Sequence, residues 1–181
     1  VALLMADRRV DLMEEGVDLA IRLGPLGDSG FISRRLASAP RFAVASPDYV
    51  ARRGEPRSPS DLTAHDVLSG HASGSEVWTF RHASTGETSV RLQARLAATS
   101  VEGVLAAARA GLGVAAASLF ACRDELASGE LRRVVAGYEL PPVDVHAVMP
   151  GGRRPPRKAR AFLDALAAFL GERGGPPPES D

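Results

Sequence analysis

Thr99-Ser100-Val101-Glu102 is the segment of this chain best suited to holding a small anion. Thr99 and Glu102 have the spacing of a capping box: the Thr99 hydroxyl accepts from the third helical amide while Glu102 reaches back to the cap amide. A helix that begins there presents unpaired amides and the positive end of its dipole, and both attract carboxylates. An ordinary cap with no ligand explains the same four residues. Other chemistry-bearing segments read as structure. Gly27-Asp28-Ser29-Gly30 mimics a serine-protease nucleophile segment, but no histidine is marked as its partner, so it reads as a turn. Gly111-Leu112-Gly113 ends a helix instead of following a strand, which excludes a dinucleotide loop. His65, His71, His82 and His146 lack metal-ligand spacing, Asp61 and Asp66 flank a short helix, and Glu14-Glu15 reads as a solvated face. With no nucleophile, base and oxyanion donor at a defined spacing, the chain is not expected to be an enzyme, and no cofactor or metal is implied.

Composition narrows the class further. The 181 residues are 45% hydrophobic and 24% charged, enough for one domain or two small lobes. Twenty-two basic side chains balance twenty-two acidic ones, against the basic excess of a surface that grips nucleic acid. A single Cys122 rules out an internal disulfide framework, and no apolar run reaches the ~20 residues of a membrane span. Val1–Met5 is too short for a signal peptide and lacks a basic flank, so a cytoplasmic location is expected. The missing initiator Met points to a fragment.

The elements that must position these residues alternate strand and helix, which predicts mostly parallel sheets covered by helices. Val1–Met5 reads as a strand, and Asp7 caps a helix ending at Gly16. Val17–Leu23 alternates as a strand and opens into a Gly/Pro loop over Gly24–Gly30. Phe31–Leu36 and Arg41–Ala45 read as two extended segments joined across Ala39-Pro40. Ser46 and Pro47 start a short helix that stops at Gly54, and Ser60 starts another after Pro59. Val77–Phe80 and Ser89–Ala94 form a hairpin. The helix from Thr99 buries Val101, Val104, Leu105, Ala108 and Leu112, and Gly111 ends it. Val114–Ala117 is a strand, Ser118 caps a helix through Leu126, Gly129 closes that helix, and Leu131–Val135 is the next strand. Pro141-Pro142 interrupts before a strand over Val143–Met149. A last helix follows Pro155-Pro156, and the tail beyond Gly171 is expected to be disordered.

Asp11-Leu12-Met13-Glu14-Glu15-Gly16-Val17-Asp18-Leu19-Ala20-Ile21-Arg22 resembles the effector-binding half of LysR-type bacterial transcription regulators. The likeness continues through Arg34-Arg35-Leu36, Val44-Ala45-Ser46-Pro47-Asp48-Tyr49, Pro59-Ser60-Asp61-Leu62-Thr63-Ala64-His65-Asp66 and Ala108-Arg109-Ala110-Gly111-Leu112-Gly113-Val114-Ala115. Leu126-Ala127-Ser128-Gly129-Glu130-Leu131 and the segment from Pro156 to Leu163 complete it, in the family's order. Each piece alone is weak; together they are specific.

This resemblance implies a two-lobed α/β fold like type 2 periplasmic binding proteins, with 1–41 and 144–171 as a first lobe, 42–143 as a second, and 172–181 as a tail. Relatives also carry a winged helix-turn-helix, a linker helix, and a first regulatory strand and helix that are expected to be missing here, so the first lobe would be truncated. The implied ligand is a small, anionic or aromatic-acid effector in the interlobe cleft. Thr99, Ser100 and Val101 would line it from the second lobe, and Arg22, Gly24 and Pro25 from the first. Arg22 offers a bidentate fork to a carboxylate, with a plain surface arginine as the alternative. Val148 and Met149 would floor the pocket, although core packing explains them equally well. The implied partners are a second or further copies of the chain, as homodimer or homotetramer, and DNA through the absent domain. Self-association is expected where the missing helix leaves a surface uncovered. A solute-binding transport component of the same fold is the alternative function.

Overall fold

The computed structural model describes residues 17–26, 31–70, 75–149 and 156–173. The strand and helix expected over 1–16, the Gly27–Gly30 turn and the C-terminal tail lie outside these residues. Contacts divide the chain into two compact units. The first holds the described residues up to Ala39 and from Val143, and the second is the continuous stretch Pro40–Pro142.

In the first unit, strand β1 (Ala20–Leu23) pairs antiparallel with the end of a long strand β8 (Tyr138–Met149), matching Ala20 to Val148 and Leu23 to Val145. Leu19, Ile21 and Leu36 pack on Ala147, Met149 and Leu163, the last from helix α4 (Arg157–Arg173).

The second unit is a mixed sheet. Its strands, in spatial order, are β8, β4 (Ser75–His82), β5 (Gly86–Ala97), β3 (Val67–Ser69), β6 (Val114–Ser118), β2 (Ile32–Ala45) and β7 (Arg132–Val134). Strand β3 is parallel to both β5 and β6, whereas β4–β5 is an antiparallel hairpin and β2 runs antiparallel to β6 and β7. Tyr49, Leu62, Trp78, Phe80, Leu92 and Val114 anchor one buried cluster. Helix α1 (Pro47–Arg53) forms for local reasons: the Ser46 hydroxyl accepts from Tyr49 N–H at 3.3 Å, Pro47 pre-sets the first turn, and Gly54 takes φ +83° at the end. Helices α2 (Val101–Arg109) and α3 (Leu119–Ser128) follow β5 and β6.

Several sequence expectations change. The two extended segments around Ala39-Pro40 are one strand, β2, and β8 runs unbroken through Pro141-Pro142. The second short helix is a 3-10 helix, Pro59–Ala64, starting at Pro59 and not at Ser60. The Asp61 carboxylate accepts from the Ser58 and Arg57 amides at 3.0 and 2.8 Å, which holds its pKa below the usual carboxylate range. Val101 and Leu112 are not in the buried stripe of α2, being 56% and 44% exposed. Val101 is the first helical residue, and Leu112 lies beyond the helix end. There, Gly111 at φ +72° donates to Ala108 O while Leu112 N–H reaches back to Ala107 O, a Schellman closure.

Candidate functional site

Three parallel strands of the second unit, β3, β5 and β6, end at Ser69, Ala97 and Ser118. In open α/β sheets a ligand sits beyond the carboxyl ends of the strands, where the following helices begin. Here Ala98 N–H donates to Ser69 O at 3.0 Å, tying the end of β5 to the end of β3. Helices α2 and α3 both start from this rim.

The structure corrects the cap of α2. Ser100, not Thr99, is the N-cap: it has extended φ/ψ, and its hydroxyl accepts from Gly103 N–H at 3.0 Å. The third helical position is therefore Gly103, not Glu102, and the reciprocal Thr99–Glu102 box does not form. Strand β5 runs to Ala97, so the chain needs two residues to turn before the helix starts. Gly103 also suits the position sterically, because a Cβ there would sit 3.1 Å from Ser100 Oγ. Thr99 is thus an exposed residue on the rim, Ser100 is half-buried, and Val101 projects into solvent.

Two neighbours join this rim, Ser118, already read from the sequence as a helix cap, and Arg41, which carried no local signal. Ser118 caps α3 without a side-chain cap bond, while its carbonyl accepts from Cys122 Sγ at 3.2 Å. Directly opposite Ser118 in the β2–β6 register stands Arg41. Burial lowers the pKa of its guanidinium, and Glu76 acts in the opposite sense. An arginine keeps its charge in proteins nonetheless, so the rim holds a half-buried cation opposite the start of α3. Ser69, at the end of β3, is wholly buried and supports the rim from beneath. Such a set can receive a carboxylate through hydroxyls, amides and one fork.

The remaining expected site residues belong to the first unit. Arg22 pairs with His146 in the β1–β8 register and lies on the face opposite Ile21. Gly24 follows with φ +85° and donates to Asp144 O at 2.9 Å; Pro25 is exposed. Val148 is 1% exposed, so its side chain presents no free surface in this structure. Among the described residues no group of three or more His, Cys, Asp or Glu could hold a metal ion, and no helix is long and apolar enough to cross a membrane.

A model of the LysR substrate binding domain family matches residues 1–171. An uncharacterized HTH-type transcriptional regulator of Escherichia coli, YhjC, is 34% identical over 172 residues, covering 92% of this chain and 56% of the relative. The HTH-type transcriptional regulator PtxR of Pseudomonas aeruginosa is 33% identical, covering 94% and 55%. The chain thus spans about half the length of the curated relatives it matches. Among solved structures, CrgA of Neisseria meningitidis, a LysR-type regulator, superposes with a TM-score of 0.77 at 30% identity, covering 88% of this chain and 54% of that one. The regulatory domain of AphB from Vibrio vulnificus does so at 0.70 and 29%, covering 89% and 78%.

Proposed function

The chain belongs to the LysR substrate-binding domain family and has its two-lobed, periplasmic-binding-protein-like α/β fold; from that premise we propose that it senses a small anionic metabolite and couples its binding to DNA binding by a helix-turn-helix domain. The observation that carries the ligand chemistry is the rim at the carboxyl ends of β3, β5 and β6, where α2 and α3 begin and the half-buried Arg41 stands opposite Ser118. In this reading Thr99, Ser100 and Val101 touch the effector from the second unit, joined by Arg41, and Arg22, Gly24 and Pro25 supply contacts from the first. Val148 supports them from the β8 ladder. Effector binding shifts the regulator between conformations by its differential affinity for them, and the responding assembly is a homodimer or homotetramer in the cytoplasm. The relatives, both HTH-type transcriptional regulators, speak for a regulator over a transport component.

A thermal-shift screen of small organic acids tests this. A ligand at ~100 times its Kd adds about 2.7 kcal/mol of stability. With a hit in hand, Thr99→Val and Arg41→Gln are expected to weaken binding roughly tenfold or more in normally folded protein. Ser100 needs a different substitution: Ala removes the cap and costs ~1 kcal/mol of helix stability, while Gly costs only a few tenths, so Ser100→Gly separates binding from folding. A hit whose affinity survives both Thr99→Val and Arg41→Gln removes this rim from the site.

A further inference from the structure

A second charged pocket lies at the other end of α2, where Gly111 closes the helix. Tyr49, Arg52, Arg53, Asp66, Arg95 and Leu112 surround a cavity of about 280 Å³. Three guanidiniums from α1 and β5 line it with a single carboxylate, Asp66, which pairs with two of them. Arg95 Nη1 stands 3.1 Å and Arg53 Nε 3.9 Å from the two oxygens of Asp66. Arg52 Nη2 donates to Gly111 O at 2.7 Å, which anchors that guanidinium at the wall of the cavity without neutralising it. The lining therefore carries two positive charges beyond what Asp66 balances. Arg53, whose Nη2 donates to Ala64 O at 3.1 Å, and Arg95 are half to two-thirds exposed, so both present guanidinium edges to a solute. Arginine forks match the oxygens of phosphate two at a time.

We propose that this pocket binds a small multivalent oxyanion of the phosphate class, independently of the effector rim. The anion replaces Asp66 as the partner of Arg53 and Arg95, and Arg52 holds its position through Gly111. Because Arg52 spans from α1 to the end of α2, an anion bound here stiffens the junction of those two helices, whose opposite end begins at Ser100.

Isothermal titration of the 181-residue chain with inorganic pyrophosphate, at low ionic strength, tests the assignment. One site per chain is expected. Arg95→Gln should weaken it roughly tenfold, since that exposed side chain loses a charge-assisted contact and holds no backbone group. Asp66→Asn should tighten it, because the competing carboxylate is gone while the backbone bonds of residue 66 are retained. A merely structural cluster predicts no such opposite signs. Thr99→Val and Arg41→Gln should leave pyrophosphate affinity unchanged, so failure here and failure of the effector site are read separately. Absence of binding, or equal affinity in wild type, Arg95→Gln and Asp66→Asn, overturns the proposal.

Discussion

Replacing Tyr49 with Phe isolates one polar junction of the second unit. Tyr49 is 1% exposed and packs in the same cluster as Trp78, so Phe keeps the ring, the volume and the packing. What it removes is an oxygen that accepts from Asp66 N–H at 2.9 Å and lies 3.1 Å from His65 Nδ1. The Tyr49 hydroxyl and His65 Nδ1 share the second hydrogen bond, whose direction follows the His65 tautomer. Two hydrogen bonds at ~1 kcal/mol each are lost and the Asp66 amide is left without its partner; access of water to the half-exposed side limits the total to about 2 kcal/mol. Equilibrium urea unfolding followed by fluorescence of Trp78, the single tryptophan, reads this unit, and the denaturant slope should not change. The pH dependence supplies a second check. Burial, then the nearby Arg53 charge, lowers the His65 pKa from 6.5. The unfolded chain therefore binds more protons between 6.5 and the lowered folded value. The associated stability is complete above 6.5 and is lost as pH falls through the folded pKa. In Tyr49→Phe this acid-side loss should persist, because the burial and the Arg53 charge that lower the His65 pKa are both retained. A loss below ~0.5 kcal/mol at pH 8, or an acid-side loss absent from the variant, would refute the reasoning.

Gly113→Ala should cost about 3 kcal/mol or more or prevent folding of the second unit, because its Cβ would run into the Asp66 carbonyl; a melting temperature equal to wild type would contradict this. Val135 is buried at φ +59°, a backbone that costs a β-branched residue ~1–2 kcal/mol, so Val135→Gly should be less destabilising than Val135→Ala, which keeps much of the strain and loses two methyls; urea midpoints in the reverse order would disprove it. Burial, and secondarily Glu125, pushes the Cys122 thiol up to about 12, leaving about one thiolate in ten thousand at pH 8. Native protein should resist a disulfide reagent that reacts at once in urea, and stoichiometric native labelling would show the side chain to be accessible.

Helix α1 was fully legible because its signals are local: Ser46, Pro47 and Gly54 each act within one turn. The start of α2 was not, since Thr99 and Ser100 are both good caps and the choice falls to where β5 stops and where Gly103 can approach. Prolines misled for a related reason. A missing N–H breaks a strand only where the ladder requires that donor. Strand β8 pairs with β4 at Tyr138 and Glu139, with β1 from Val145 and also with β2, and Pro141 and Pro142 lie outside the β4 and β1 ladders. The rim was half legible. Helix-cap chemistry singled out Thr99, Ser100 and Ser118, but Arg41 comes from a distant part of the chain and reaches Ser118 only through sheet register, which no local pattern encodes.

The second unit is one uninterrupted stretch, while the first is assembled from the chain on both sides of it. This sets an order of events in folding. Closing the first unit around an unfolded insert of roughly a hundred residues costs about 4 kcal/mol in loop entropy alone, before β1 gains a single bond to β8. Folding the insert first removes most of that cost, since β2 and β8 then emerge from an ordered sheet. The first unit should therefore be the last to form and the first to open. A lesion deep in the second unit, such as Gly113→Ala, would be felt by β1 and α4 although neither contains the altered residue.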